Sequence, residues 1–110
     1  RDNWFPSQVL GERAPYEEKR VSVLAARARQ AFVEHYPLVL EAGAHTRIYR
    51  AVPFGPLIEV FALDMRSYRG PNSENLQPSG DPEAAFLGSS QAQWLADALA
   101  RSTATWKIIA

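Results

Sequence analysis

The sequence predicts an α/β layered fold, and three stretches carry that expectation. Apolar residues recur with a helical period between Tyr16 and Tyr36, a Pro-Phe-Gly-Pro turn precedes the apolar run Leu57 to Leu63, and a second helical pattern leads into Trp106 to Ala110. Helix, β-hairpin, helix and strand follow one another in a chain of 110 residues with no internal repeat. A chain of this length forms one domain that buries roughly two-thirds of its unfolded surface.

Residues 1–15, with Pro6, Gly11 and Pro15 among polar and aromatic side chains, predict an irregular lead-in whose Trp4 and Phe5 pack on the remainder or line a pocket. Val21, Leu24, Ala28, Ala31, Phe32 and His35 then form one face of a helix over Tyr16 to Tyr36. Glu17 and Glu18 fall at its positive end, and Pro37 stops it by withholding an N–H and restricting Tyr36. A short connection through Gly43 leads to a hairpin of Arg47 to Val52 and Leu57 to Leu63, the second strand apolar on both faces except at Glu59. Gly70 to Pro82 reads as a long loop. Ser90 with Gln93 reads as a capping box for a helix to Arg101, with Leu87 packing back on its first turn and Trp94, Leu95, Ala98 and Leu99 as its buried stripe. Trp106 to Ala110 reads as an interior strand, which predicts an internal piece of a longer protein.

Composition narrows the function classes. Hydrophobic residues at 46% and charged residues at 22% fit a globular domain rather than a disordered or fibrous chain. Twelve basic residues balance twelve acidic ones, so nothing attracts a polyanion such as nucleic acid, and no apolar run approaches the length of a membrane span. With no cysteine, the chain has neither a disulfide framework nor a thiolate site. Of the two histidines, His35 reads as a packed helical residue and His45 as a loop residue. Ser89 and Ser90, with no base nearby in sequence, read as helix-capping residues rather than nucleophiles.

The densest polar group is Asp64-Met65-Arg66-Ser67-Tyr68-Arg69, at the end of the most apolar strand. Two readings fit these residue types. Strand ends in α/β sheets meet ligands, and a carboxylate beside two guanidiniums suits a site; equally, Asp64 paired with Arg66 or Arg69 would clamp the loop that follows.

Phe61-Ala62-Leu63-Asp64-Met65-Arg66-Ser67-Tyr68-Arg69-Gly70, then Phe86-Leu87-Gly88 with Gln91 and Trp94-Leu95, then Ser102-Thr103-Ala104-Thr105-Trp106-Lys107-Ile108-Ile109, together resemble the PhoD-type alkaline phosphatase and phosphodiesterase family. The resemblance runs the length of the chain: Arg1-Asp2-Asn3-Trp4-Phe5-Pro6 is similar to the stretch after that family's Asp-Asp-His-Glu motif, and Ala25 to Phe32 to its following helix. It implies a segment, residues 1–110, of a metallophosphatase-like layered sandwich that binds calcium and iron. The activity implied is hydrolysis of phosphate mono- and diesters outside the cytoplasm after twin-arginine export.

By the same resemblance Asn3 contributes a metal-facing amide, with Asp2 as the competing choice, while Asp64 and Arg66 support the catalytic site and Tyr68 and Arg69 belong to the same cluster. The remaining ligands fall outside these residues. The segment alone is therefore expected to hold no metal tightly and to be inactive, its partner being the remainder of the same catalytic domain. A free-standing α/β interaction module, binding a protein through its hairpin or its 70–82 loop, is the competing expectation.

Overall fold

A computed structural model describes residues 3–37, 47–74 and 76–110. Their order is α1 (Val21–His35), β1 (Arg50–Phe54), β2 (Ile58–Ala62), a single 3-10 turn (Pro82–Ala84), α2 (Ser89–Arg101) and β3 (Trp106–Ile109). The chain is thus mixed α/β, with the three strands in one sheet of order β1-β2-β3. The Gly43 connection and His45 lie outside the described residues.

The hairpin forms with a shifted frame. β1 pairs antiparallel with β2 from Arg50 opposite Ala62 to Phe54 opposite Ile58, so Pro53, expected in the turn, sits within the strand. β1 is at the sheet edge, where a residue without an N–H is tolerated. The reversal falls at Gly55 to Leu57, with Gly55 at a φ of 64°. β2 lies between its two partners, but the cover its apolar run predicts on both faces is partial: Phe61 is 0% exposed and the other four residues are half-buried.

β3 runs parallel to β2, in register from Ile58 opposite Trp106 to Phe61 opposite Ile109. Parallel neighbours require a crossover, which α2 provides. The pairing is continued by Ala110, whose N–H donates to Phe61 O at 3.0 Å and whose carbonyl accepts from Leu63 N at 2.8 Å. Among the described residues β3 has a partner on one side only, and all four of its residues are exposed, Trp106 at 66%.

α1 begins five residues later than its period suggests. The backbone of residues 19–21 is engaged by the lead-in: Leu10 N donates to Lys19 O (2.8 Å), Val21 N to Gln8 O (3.0 Å), and Val9 and Arg20 form an antiparallel bridge. The Lys19 ammonium closes the intervening loop on the carbonyls of Glu12 and Ala14. Glu18 therefore precedes the helix, where its carboxylate takes the Arg20 guanidinium at 2.9 Å and the Arg20 N–H at 2.9 Å. The C-terminal stop is as expected: Tyr36 is extended before Pro37, its N–H closing on Phe32 O. His35, expected to pack, is exposed in the last turn.

α2 starts two residues earlier than a Ser90 cap would allow. Gly88 is the N-cap, at φ 74°, with no side-chain capping bond, and Gln93 instead bonds Asp97 one turn along. A Cβ on Gly88 would stand 2.8 Å from Tyr68 Cβ, so the chain enters the helix through a gap that only glycine fits. Leu10, Val21, Tyr49 and Phe61 are the buried apolar side chains among the described residues. Tyr49, just before β1, meets Trp94 of α2 at 4.8 Å and Tyr68 at 5.6 Å between ring centroids, tying helix, sheet and the segment after β2 into one aromatic cluster.

Candidate functional site

The segment leaving β2 is fixed by Asp64 and Gln91, both buried although polar, at 5% and 0% exposure. The Gln91 carboxamide accepts from Asp64 N (2.7 Å) and donates to Asp64 O (2.9 Å) and Leu87 O (2.9 Å). The Asp64 carboxylate accepts from the N–H groups of Arg66 (3.0 Å) and Ser67 (2.8 Å). An aspartate that binds the backbone two and three residues ahead turns the chain sharply, and this turn directs the next side chains away from Asp64 itself.

The expected clamp between the Asp64 carboxylate and an arginine side chain is accordingly not the one that forms. Both guanidiniums reach Asn3 instead: Arg66 Nη1 donates to Asn3 Oδ1 at 2.9 Å and Arg69 Nη1 to the same oxygen at 3.2 Å. Asn72 Nδ2 donates to Asn3 O at 2.8 Å, so the lead-in and the long loop close on one residue. Asn3 has φ 49°, the one positive value among described non-glycine residues, and asparagine accepts that conformation better than most side chains.

The loop beyond is equally constrained. Gly70 N donates to Ala85 O at 2.8 Å, and a Cβ on Gly70 would stand 2.0 Å from Glu83 O. The Asp81 carboxylate accepts from Glu83 N and starts the 3-10 turn. Arg69 lies over the Phe86 ring at 5.4 Å, and its Nε is buried with no hydrogen-bond partner. Burial, with the Asp64 charge adding to it, pushes the Tyr68 phenol above its ordinary value of 10 and keeps it protonated.

A cleft of about 580 Å³ opens beside the cluster, lined by Trp4, Tyr16, Leu24, Phe32, Met65 and Arg66 among others. Trp4 thus lines a pocket, one of the two roles its lead-in position suggests. A larger groove of about 940 Å³ runs along β1 and the end of α2 and does not include the Asp64 cluster.

Electrostatically the site is defined by two cations sharing one neutral acceptor. Among the described residues, neither Arg66 nor Arg69 is paired with a carboxylate; the ion pair formed there is Arg20 with Glu18. Like charges drawn onto one oxygen repel, weakly where solvent screens them, and an anion relieves that repulsion. A metal ion is a different matter. Among the described residues no three His, Cys, Asp or Glu side chains converge. Asn3 Oδ1 already receives two guanidinium donors and the Asp64 carboxylate faces backbone N–H groups, so the described side chains do not fit calcium or iron; Asp2 lies outside the described residues.

Gln91, named only within the family resemblance, and Asn72 are the members to which sequence reasoning gave no role. The signal for Gln91 was its position on the same helical side as Trp94 and Leu95, three and four residues on, where a polar side chain needs buried partners. Asn72 gave no such signal, because its contact depends on a residue far away in sequence.

The family model of PhoD-like phosphatases matches residues 1–110, the whole chain. The chain belongs to that family. Alkaline phosphatase D of Bacillus subtilis (strain 168) is 37% identical over 94 residues, covering 77% of this chain and 16% of that protein. The chain thus spans about a sixth of the length of the curated relative it matches. No solved structure matches. The Asp64 to Gly70 segment and the α2 and β3 stretches, on which the resemblance rests, form the walls and supports of the cluster just described.

Proposed function

We propose that these residues are one part of a metal-dependent phosphoesterase that hydrolyses phosphate mono- and diesters outside the cytoplasm. The observation that carries this reading is the match of the phosphatase family over all 110 residues, with the curated relative, an alkaline phosphatase, in support. The metals implied by the resemblance, calcium and iron, are then held by residues other than the described ones, whose side chains do not fit them. The segment contributes support: Asp64 and Gln91 fix the end of β2, and the Asp64 turn presents Arg66 and Arg69 toward Asn3. Tyr68 joins this support to the aromatic cluster through Tyr49. No helix among the described residues is long and apolar enough to cross a membrane. Nothing observed favours a free-standing interaction module.

The test is an assay of the full-length protein with p-nitrophenyl phosphate and bis-p-nitrophenyl phosphate, before and after chelation and after return of calcium with ferric iron. Turnover lost on chelation and recovered with the metals supports the reading. Turnover of neither ester under any metal condition contradicts it.

A further inference from the structure

We infer that Arg66 and Arg69, brought together on the amide oxygen of Asn3, form a seat for a tetrahedral oxyanion, the phosphoryl group of the ester or the phosphate it releases. The inference rests on the phosphoesterase reading for the identity of the anion, and on geometry for the existence of the seat. Both guanidiniums bond one neutral oxygen, and no carboxylate among the described residues neutralises either. A protein that needed these arginines only as struts would be better served by an aspartate at position 3, which makes the same two bonds more strongly and cancels charge. Asparagine aligns the arginines and leaves their charge available.

The forks also retain capacity. A guanidinium has five N–H donors, and each arginine spends one on Asn3. Arg69 Nε is buried without a partner, an arrangement that costs free energy unless something completes it. Packing on Phe86 holds the Arg69 head in place, and the Asp64 turn fixes the start of the segment that carries Arg66. Two aligned, half-buried guanidiniums suit the doubly charged, multi-acceptor surface of phosphate. Arg66 also lines the apolar cleft that includes Trp4 and Phe32, so the seat opens beside a surface able to take the organic part of an ester.

The test uses the full-length protein with inorganic phosphate as probe, measured by calorimetry and as a competitive inhibitor. Asn3→Asp is the discriminating variant because it preserves the bonds while supplying the missing negative charge. The seat predicts phosphate affinity at least tenfold weaker in Asn3→Asp and in Arg69→Gln, with Asn3→Asp melting at or above wild type and keeping its metal content. Arg66→Lys, which keeps charge but loses the fork, should weaken phosphate about threefold. A KM that rises in parallel assigns the seat to the bound ester, and an unchanged KM assigns it to free phosphate. Phosphate affinity within twofold of wild type in both Asn3→Asp and Arg69→Gln overturns the inference even if esters are hydrolysed. Phosphate binding that responds as predicted in a protein that hydrolyses no ester upholds the seat and defeats the phosphoesterase reading.

Discussion

Gln91 and Asp64 are joined by a reciprocal pair of hydrogen bonds, the Gln91 carboxamide taking the Asp64 N–H at 2.7 Å and giving its own N–H to the Asp64 carbonyl at 2.9 Å. The amide thus acts as one more strand residue at the end of β2, delivered from a helix twenty-seven positions away in sequence. It also bonds Leu87 O, so it is satisfied on three sides while wholly buried.

Truncating it should therefore be costly. Gln91→Ala leaves two buried backbone groups and one half-buried carbonyl without partners, each buried group worth about 1 kcal/mol or more, and a total loss of roughly 2 to 3 kcal/mol is expected. Denaturant unfolding of the full-length protein measures this, and a loss below about 1 kcal/mol would show that water replaces the side chain freely.

Asp64 and Arg66 should separate in their effects. The carboxylate serves two backbone N–H groups, and an asparagine oxygen can still accept from both. Asp64→Asn is expected to cost about 1 kcal/mol and Asp64→Ala about 2 kcal/mol. Arg66→Ala removes a bond to a partner that solvent reaches, so it should cost under about 1 kcal/mol while lowering kcat/KM by tenfold or more. Melts run beside kinetics decide the point. An Arg66→Ala protein as unstable as Asp64→Ala, with its kcat/KM unchanged, would make Arg66 a strut.

Much of this was legible in the sequence, and the misses share a cause. Period and composition located both helices, the hairpin and the last strand, because apolar spacing is set by burial along each element. The start of α1 was misplaced since residues 19–21 bond to residues 8–10, a contact no local pattern carries. Ser90 and Gln93 satisfied a capping rule, yet the close approach of Tyr68 placed Gly88 at the cap. The Asp64 to Arg69 cluster was singled out by residue type alone. Its wiring was not, because the choice between Asp64 and Asn3 as the arginines' partner depends on where the lead-in folds back.

The two tight glycines give a steric prediction. Gly70→Ala puts a methyl group within 2.0 Å of the Glu83 carbonyl, against backbone that cannot swing aside as a side chain would. Gly88→Ala meets Tyr68 Cβ at 2.8 Å and holds φ at 74°. Each should destabilise by about 2 kcal/mol or more, and Gly70→Ala should also raise protease sensitivity within 70–85. Gly11, where nothing lies within 4 Å of a would-be Cβ, serves as the control, and Gly11→Ala should melt like wild type.

The Glu18 and Arg20 pair makes a prediction about acid. The Arg20 side chain, then its backbone N–H, holds the Glu18 carboxyl down from its ordinary 4.5 to about 2. A carboxyl depressed in the folded state stabilises fully above its unfolded value, and the contribution is lost as pH falls from 4.5 through about 2. Carboxylate NMR should find Glu18 titrating near 2, and moving upward in Arg20→Gln, which keeps the backbone bond and loses the fork. A midpoint that ignores the substitution would remove the pair from the account.

The central claim, that these residues support phosphate-ester hydrolysis without assembling the metal centre themselves, is tested most directly by assaying the 110-residue segment beside the full-length protein. Both are given p-nitrophenyl phosphate and bis-p-nitrophenyl phosphate with calcium and ferric iron. The account predicts metal-dependent turnover by the full-length protein and none above background by the segment. Metal-dependent turnover by the segment alone, abolished by Asn3→Ala, would contradict it.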